Sequence, residues 1–271
     1  MIINNKYEID KSIGSGAFGS IFRGKNRRTQ QQVAIKREPI ASNLKLLKNE
    51  TKIYNYLGNA DGIPTLYWYG TYEDHYYMVM SLLSYSLKDV SRSEGPLSMN
   101  VVLKIGLDMV KRIQYIHNKG IIHRDIKPDN FMFGMNTNND LYVIDFGLSC
   151  SYLEENKHIA LKENCSPLGS VNYMSINVHK GYTPSRRDDL ESIVYVLYYL
   201  WSGTLPWFMH TIFTNNTIEN HEIIANEKQI HLTNDDTPLI LKSFFNYCRS
   251  LHYKETPNYN YLVNNIFVNN S

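Results

Sequence analysis

The chain has 271 residues, of which 28 are Lys or Arg and 26 Asp or Glu, and 43% are hydrophobic. That length buries a sizeable core as one large domain or two packed lobes, and a formal charge of +2 is too weak to argue for nucleic acid. The longest apolar run, IVYVLYYLW at 193–201, is far short of the roughly 20 residues a membrane span needs, and the start MIINNKYEID carries no secretory pattern. Cys150, Cys165 and Cys248 are scattered outside any CxxC spacing and suggest neither a disulfide framework nor a zinc site.

In chain order, apolar–polar alternation over 7–16, 20–25 and 31–36 predicts three consecutive antiparallel strands joined by tight turns. Leu44, Leu47, Ile53 and Leu57 then fall at roughly helical spacing, and Gly58 and Gly62-Ile63-Pro64 stop that helix. Residues 66–83 predict two more strands around Asp74. From about Leu87 the apolar period becomes helical. The segment 99–120 carries a stripe through Val102, Ile105, Met109, Ile113 and Ile116 and ends at Gly120. Short strands and loops follow to about Asn172, then largely helical segments. The Asn-rich stretches 135–141 and 214–222 read as surface loops or loosely held segments, and 157–163 as a solvated face. A small β-rich part before a larger α-rich part is the α+β pattern.

Four groups of residues bear chemistry. Gly14-Ser15-Gly16-Ala17-Phe18-Gly19 has a GxGxxG spacing that dinucleotide-binding folds and kinases share. A dinucleotide fold needs a helix opening at the third glycine, whereas 20–24 alternates like a strand; a hairpin then places backbone amides over phosphates. Glu38 lies near the place of a ribose-binding acid, a coincidence under the hairpin reading. Lys36 ends Val33-Ala34-Ile35-Lys36. It is either a solvated lysine on an edge strand or a buried cation in need of a partner, and Glu50 has the spacing to reach it. In His123-Arg124-Asp125-Ile126-Lys127-Pro128-Asp129-Asn130, Asp125 suits accepting a proton from an attacking hydroxyl. Asn130 suits a metal ion through its amide oxygen, and Lys127 suits charge balance on a phosphoryl group. Asp145-Phe146-Gly147 ends a strand in a carboxylate suited to bridging Mg2+ and phosphate. Any one group could be a solvated loop; all four in this order are not accidental.

Together these residues resemble the signature set of the eukaryotic protein kinases, and Lys127-Pro128-Asp129-Asn130 resembles its Ser/Thr branch. A narrower likeness follows. Ser175-Ile176-Asn177 stands where most kinases have Ala-Pro-Glu, and Ser185-Arg186-Arg187-Asp188-Asp189-Leu190-Glu191-Ser192 comes next. With Gly203-Thr204-Leu205-Pro206-Trp207 and Tyr247-Cys248-Arg249-Ser250-Leu251, the pattern is similar to the casein kinase 1 family across nearly the whole chain.

The resemblance implies one catalytic domain over 1–271 with a bilobal protein kinase fold. A small β-rich lobe takes 1–80, a hinge 81–86 and a larger, mainly α-helical lobe 87–271. It implies ATP and Mg2+, and protein acceptors with Ser or Thr that are acidic or already phosphorylated. No nucleic-acid or membrane partner is implied, a monomer is expected, and location is cytoplasmic or nuclear. Asp125 is implied as catalytic base, with Lys127 beside it; Lys36, paired with Glu50, positions the phosphates; Asn130 and Asp145 hold the metal. Gly14, Ser15, Gly16, Ala17, Phe18, Gly19 and Ser20 cover the nucleotide, while Ile13, Ile21, Ala34, Met132 and Ile144 sandwich its base. Met80 is the implied gatekeeper, with Ser81, Leu82 and Leu83 as the hinge that pairs with adenine. Asp189 is implied as the tether of the catalytic loop, although a second helix N-terminal acid beside Asp188 is also physically sensible. Arg186 lies in the block associated with an anion site, where arginine suits phosphate.

The chain departs from that family at several points. Residues 214–222 are nearly free of basic side chains and only Lys228 follows; Gly169-Ser170-Val171-Asn172-Tyr173 replaces Gly-Thr-Ala-Arg-Tyr; Ser81 stands where an acid is usual. These put phosphate-primed recognition in question. Ser166 and Ser170 read as loop serines in preference to phosphosites. With no long tail after Ser271, a catalytic domain without tail-borne control is expected. The competing readings are a partner-binding scaffold without transfer, against which Lys36, Glu50, Asp125, Asn130 and Asp145 count, and a small-molecule phosphotransferase.

Overall fold

Val33 and Ile35 alternate with Ala34, Lys36 and Glu38, and that period of two sends the two sets to opposite faces of a sheet. The computed structural model describes residues 1–16, 19–43, 45–135, 140–213 and 218–268. Its compact units are two: Met1–Tyr85 with Met132–Ser149, and Ser86–Phe131 with Cys150–Ser271.

The first unit is built on a six-stranded sheet of β1 (Ile2–Ile3), β2 (Tyr7–Gly16), β3 (Gly19–Asn26), β4 (Gln32–Pro39), β5 (Leu66–Tyr72) and β6 (His75–Ser81). Its order is β1-β2-β3-β4-β6-β5, with each neighbouring pair antiparallel. Ile35 pairs across to Val79 and Lys36 to Met78. Ile3, Tyr7, Val33, Ile35, Tyr77 and Val79 form a buried cluster on one face. Strand β1 was not expected, because two residues are too few to show alternation.

Helix α1 (Leu46–Leu57) follows β4 and buries Leu47, Ile53, Tyr54 and Leu57. Leu44, placed in its stripe from sequence, lies outside the described residues. No side chain of the preceding residue caps α1. Instead the buried carboxylate of Glu38 accepts from the backbone N–H of Leu46 at 3.1 Å and of Leu47 at 3.2 Å. A carboxylate at that end satisfies two donors the helix cannot and opposes its dipole.

The second unit is helical: α2 (Leu87–Glu94), α3 (Met99–Asn118), α4 (Ile176–His179), α5 (Arg186–Ser202), α6 (Phe208–Phe213), α7 (Ile218–Thr233), α8 (Leu239–Ser250) and α9 (Tyr259–Tyr261). Ser86 and Asp89 form a reciprocal capping box on α2. Helix α5 is buried nearly all round, with Leu190, Ile193, Val194, Val196, Leu197 and Leu200 inaccessible, and packs between α3 and α8. Gly106 explains the close approach on α3: a Cβ there would lie 2.4 Å from the Phe267 ring and 2.9 Å from Leu197. Among the described residues, no helix is long and apolar enough to cross a membrane.

One expectation changes. The stretch 214–222 is not all loop, because α7 begins at Ile218 and His221 is buried against His179; residues 136–139 and 214–217 lie outside the described residues. Met132–Ser149 groups by its contacts with the first unit. Local bonds account for it: Val143 N–H donates to Gly62 O at 2.9 Å, and the Asn49 amide donates to Gly147 O and Ser149 O, both at 3.0 Å.

Candidate active site

In the first unit, β4 carries Lys36 on the face toward α1, and α1 presents Glu50 one turn in. Lys36 Nζ donates to Glu50 Oε1 at 2.7 Å and lies 3.4 Å from Asp145 Oδ1. The solvated edge-strand reading of Lys36 therefore fails. Burial works against the ammonium, but the Glu50 and Asp145 carboxylates overcome it and hold Lys36 protonated above the usual lysine range. Burial pushes the Glu50 carboxyl up to about 7, with Lys36 pulling it back toward ionisation. Glu50 is thus the member of the pair that titrates near neutrality.

Asp145 follows the strand Leu141–Val143 and has φ +67°, a left-handed conformation that a non-glycine residue adopts at a cost. Phe146 behind it is fully buried, edge-on to Tyr54 at 4.9 Å, which locks the segment to α1. A hollow lined by Gly19, Ser20, Ile21, Lys36, Leu47, Glu50 and Asp145 opens beneath the glycine hairpin. Gly19 is required there, since a Cβ would fall 2.1 Å from Arg37 O. The turn is a hairpin between β2 and β3, with Ser15 opposite Ser20, so the dinucleotide reading is excluded. Ala17 and Phe18 lie outside the described residues. Ile21, Ala34, Met132 and Ile144 are partly buried and Met80 buried, whereas Ile13 is exposed. Ser81 is engaged within the sheet: its N–H donates to Thr65 O at 3.0 Å, and its hydroxyl accepts from Thr65 N–H at 3.1 Å. Leu83, like Gly14, is placed by the chain without a side-chain bond on which to argue a role.

In the second unit the loop after Ile121–Ile122 is tied down from α5. Asp189 Oδ2 accepts from His123 N–H at 2.7 Å, and Oδ1 from Arg124 N–H at 2.9 Å. Burial would raise this carboxyl, but the bond to His117 Nε2 at 2.9 Å and the backbone donors hold it below the usual carboxylate range. The tethering role thus displaces the bland helix-acid reading. Arg124 has φ +68° on this loop.

Beyond it, Asp125 is 7% exposed and its two oxygens are separately held. Lys127 Nζ donates to Oδ2 at 2.7 Å, with the Asn130 amide at 3.2 Å. Ser170 donates to Oδ1 through its N–H at 3.0 Å and its hydroxyl at 2.7 Å. The Asn130 amide also donates to Asp125 O at 2.8 Å, which leaves its amide oxygen as the ligand atom. Ser170 is a site residue that the sequence reading set aside as a loop serine.

The two unusual sequence blocks are each other's partners. Asp188 Oδ1 accepts from Ser175 Oγ at 2.6 Å and Asn177 Nδ2 at 3.1 Å. Glu191, fully buried, accepts from Ile176 N–H and Tyr195 OH, both at 2.6 Å, and pairs with Arg249 at 2.9 Å. Arg186, in contrast, is largely enclosed. It is 8% exposed, donates to Thr256 Oγ1 at 3.0 Å and Lys254 O at 2.8 Å, and stacks on Tyr152 at 4.6 Å. Its two terminal nitrogens brace these segments, while its buried Nε has no hydrogen-bond partner among the described residues.

The residues present fit a nucleotide and a divalent cation. Within the first unit Asp145 offers a hard oxygen donor of the kind a divalent ion takes and Lys36 a held ammonium for phosphate; within the second, Asn130 has an amide oxygen of the same hard type. No group of three or more His, Cys, Asp or Glu among the described residues is placed to hold a metal. A model of the protein kinase domain matches residues 7–267. The chain belongs to the protein kinase domain family, whose activity is phosphoryl transfer from ATP to protein acceptors with a divalent metal.

Proposed function

We propose that this kinase transfers the γ-phosphate of ATP to Ser or Thr hydroxyls of acidic protein acceptors, and that it is similar to the casein kinase 1 family. The observation that carries the reading is the Asp125 carboxylate, fixed by Lys127 on one oxygen and Ser170 on the other. Held there, it orients an acceptor hydroxyl and takes its proton as the new P–O bond forms. Lys127, already on Asp125, offers positive charge to the moving phosphoryl group, which is the Ser/Thr arrangement. Lys36 is the proposed phosphate anchor, kept in place by Glu50, and the glycine hairpin covers the phosphates with backbone N–H groups. When bound, Mg2+ neutralises phosphate charge; Asp145 in the first unit and the Asn130 amide oxygen in the second are its proposed ligands. Ile21, Ala34, Met80, Met132 and Ile144 are proposed to line the adenine slot.

The casein kinase 1 likeness is supported by Ser175, Ile176 and Asn177 bonding to Asp188 and Glu191, since both blocks that mark the family are then one unit. Recognition of primed acceptors through Arg186 is not part of the proposal. The test is transfer from labelled MgATP to matched acidic peptides bearing Ser, Thr or Tyr. Label on Ser and Thr alone supports the reading, and label on Tyr at a comparable rate contradicts it.

A further inference from the structure

Lys228 has no part in the reading above, yet it is the one lysine of α7 and it is fully buried. Burying an ammonium is costly unless its protons are satisfied. Burial pushes the Lys228 amine well below the usual lysine range; its Nζ donates to Val171 O at 3.1 Å and Met174 O at 2.7 Å and lies 2.8 Å from His179 Nε2. Nζ also lies over the faces of Tyr195 at 4.6 Å and Trp207 at 5.5 Å. Among the described residues it has no carboxylate partner within ion-pair distance. Glu191, whose charge acts on it, is engaged by Arg249, Ile176 and Tyr195. An apolar side chain would fill this space at lower cost, so the donors are the reason for a lysine.

What they hold is one short turn. Tyr173 N–H and Met174 N–H both return to Ser170 O, at 2.8 and 2.9 Å. Trp207 Nε1 donates to Asn172 O at 2.9 Å. The carbonyls of residues 171, 172 and 174 are therefore all drawn inward by buried donors, two of them by Lys228. The Lys228 seat is itself backed. His179 Nε2 lies 2.8 Å from Lys228 Nζ, and His179 Nδ1 shares a hydrogen bond with His221 Nδ1 at 2.7 Å, its direction set by the tautomers of the two rings. Burial holds both imidazoles below the ordinary histidine range, in keeping with a neutral pair.

An acceptor hydroxyl must come within about 3 Å of the Asp125 carboxylate to hand over its proton. Ser170 is already bonded to that carboxylate, so the polypeptide flanking the hydroxyl runs along the residues that follow Ser170. We propose that Lys228 is a positioning residue for the protein acceptor, fixing the turn 170–174 beside Asp125 from beneath without touching substrate or nucleotide. This rests on Asp125 as the proton acceptor.

Lys228→Met keeps an unbranched chain and removes the donors. The expected result is a rise of about tenfold or more in KM for a Ser peptide, with KM for ATP moving by less than about twofold. Backbone hydrogen exchange at 170–174 is expected to accelerate while exchange in α5 stays as in the wild type. An unchanged peptide KM, or a proportional loss of every rate with the folded fraction, overturns the proposal. If Lys228→Met does not fold, His179→Leu removes the imidazole and leaves the two carbonyl bonds; a smaller rise in peptide KM is expected, and none overturns the proposal. Hydrogen exchange needs no turnover, so unaltered exchange at 170–174 sinks the Lys228 role while leaving the Asp125 assignment to its own test.

Discussion

Ser170 donates both its N–H and its hydroxyl to a single oxygen of Asp125, at 3.0 and 2.7 Å, although the two residues are 45 positions apart. Lys127 and Asn130 hold the other oxygen, so the carboxylate has little freedom to turn. Ser170→Ala removes one of these bonds, a loss of roughly 1–1.5 kcal/mol of positioning. The expected result is a fall in kcat of about tenfold with KM for ATP unchanged. Ser170→Thr, which keeps the hydroxyl, is expected to retain most of the activity. Steady-state kinetics on the two variants checks both statements.

The Lys36–Glu50 pair predicts opposite pH trends for activity and stability. Glu50 titrates at about 7 in the folded chain against an ordinary 4.5, because burial disfavours its charge. The folded state therefore binds more protons between those values. Its contribution to stability is full below about 4.5 and is lost as pH rises through about 7. Activity needs the ionised partner for Lys36, so it is expected to rise through the same interval. Glu50→Gln is expected to flatten both profiles, as read by Tm and by kcat/KM against pH. Parallel profiles for wild type and Glu50→Gln would contradict the assignment.

Glu38 caps α1 from the neighbouring strand, and α1 carries both Glu50 and Asn49. Glu38→Ala leaves two helix N–H groups without acceptors and is expected to destabilise by about 1–2 kcal/mol. Because the frayed turn lies next to Glu50, kcat is expected to drop as well. In a Glu50→Gln background that second effect should shrink, since the two act through one helix. Full additivity of the kinetic losses would show that Glu38 matters to folding alone.

Arg186 is expected to behave as a buried brace. Arg186→Ala removes the bonds to Lys254 O and Thr256 and the contact with Tyr152, and should lower Tm by several degrees. The ratio of KM values for phosphorylated and unphosphorylated peptides should not change. A selective loss of affinity for the phosphorylated peptide would restore the anion-site role.

What could be read from the chain was local. The glycine hairpin, Lys36 and its Glu50 partner lie on consecutive elements, so alternation and helical spacing were enough to pair them. Asp125, Lys127 and Asn130 sit within six residues and carry their chemistry in their types. Ser170 could not be found that way, because a serine in a loop has no signature until the fold brings it to Asp125. Glu38 was dismissed for a similar reason: a carboxylate that caps a helix through backbone N–H groups has no side-chain partner to look for. Lys228 stood out in the sequence only as the basic residue that follows a stretch nearly free of them, and only the packing of Tyr195 and Trp207 around it reveals a buried donor. Arg186 has the residue type that suits phosphate, and only the fold shows that its position at the start of α5 encloses it.

The most direct measurement compares wild type with Asp125→Asn for phosphate transfer from labelled MgATP to a Ser peptide, with Tm and ATP affinity measured on both. Asparagine keeps the shape and the capacity to accept from Ser170 while removing the base. Near-complete loss of transfer with ATP affinity intact is the predicted result. Transfer by Asp125→Asn at a rate close to wild type would contradict the role of Asp125 on which the account depends.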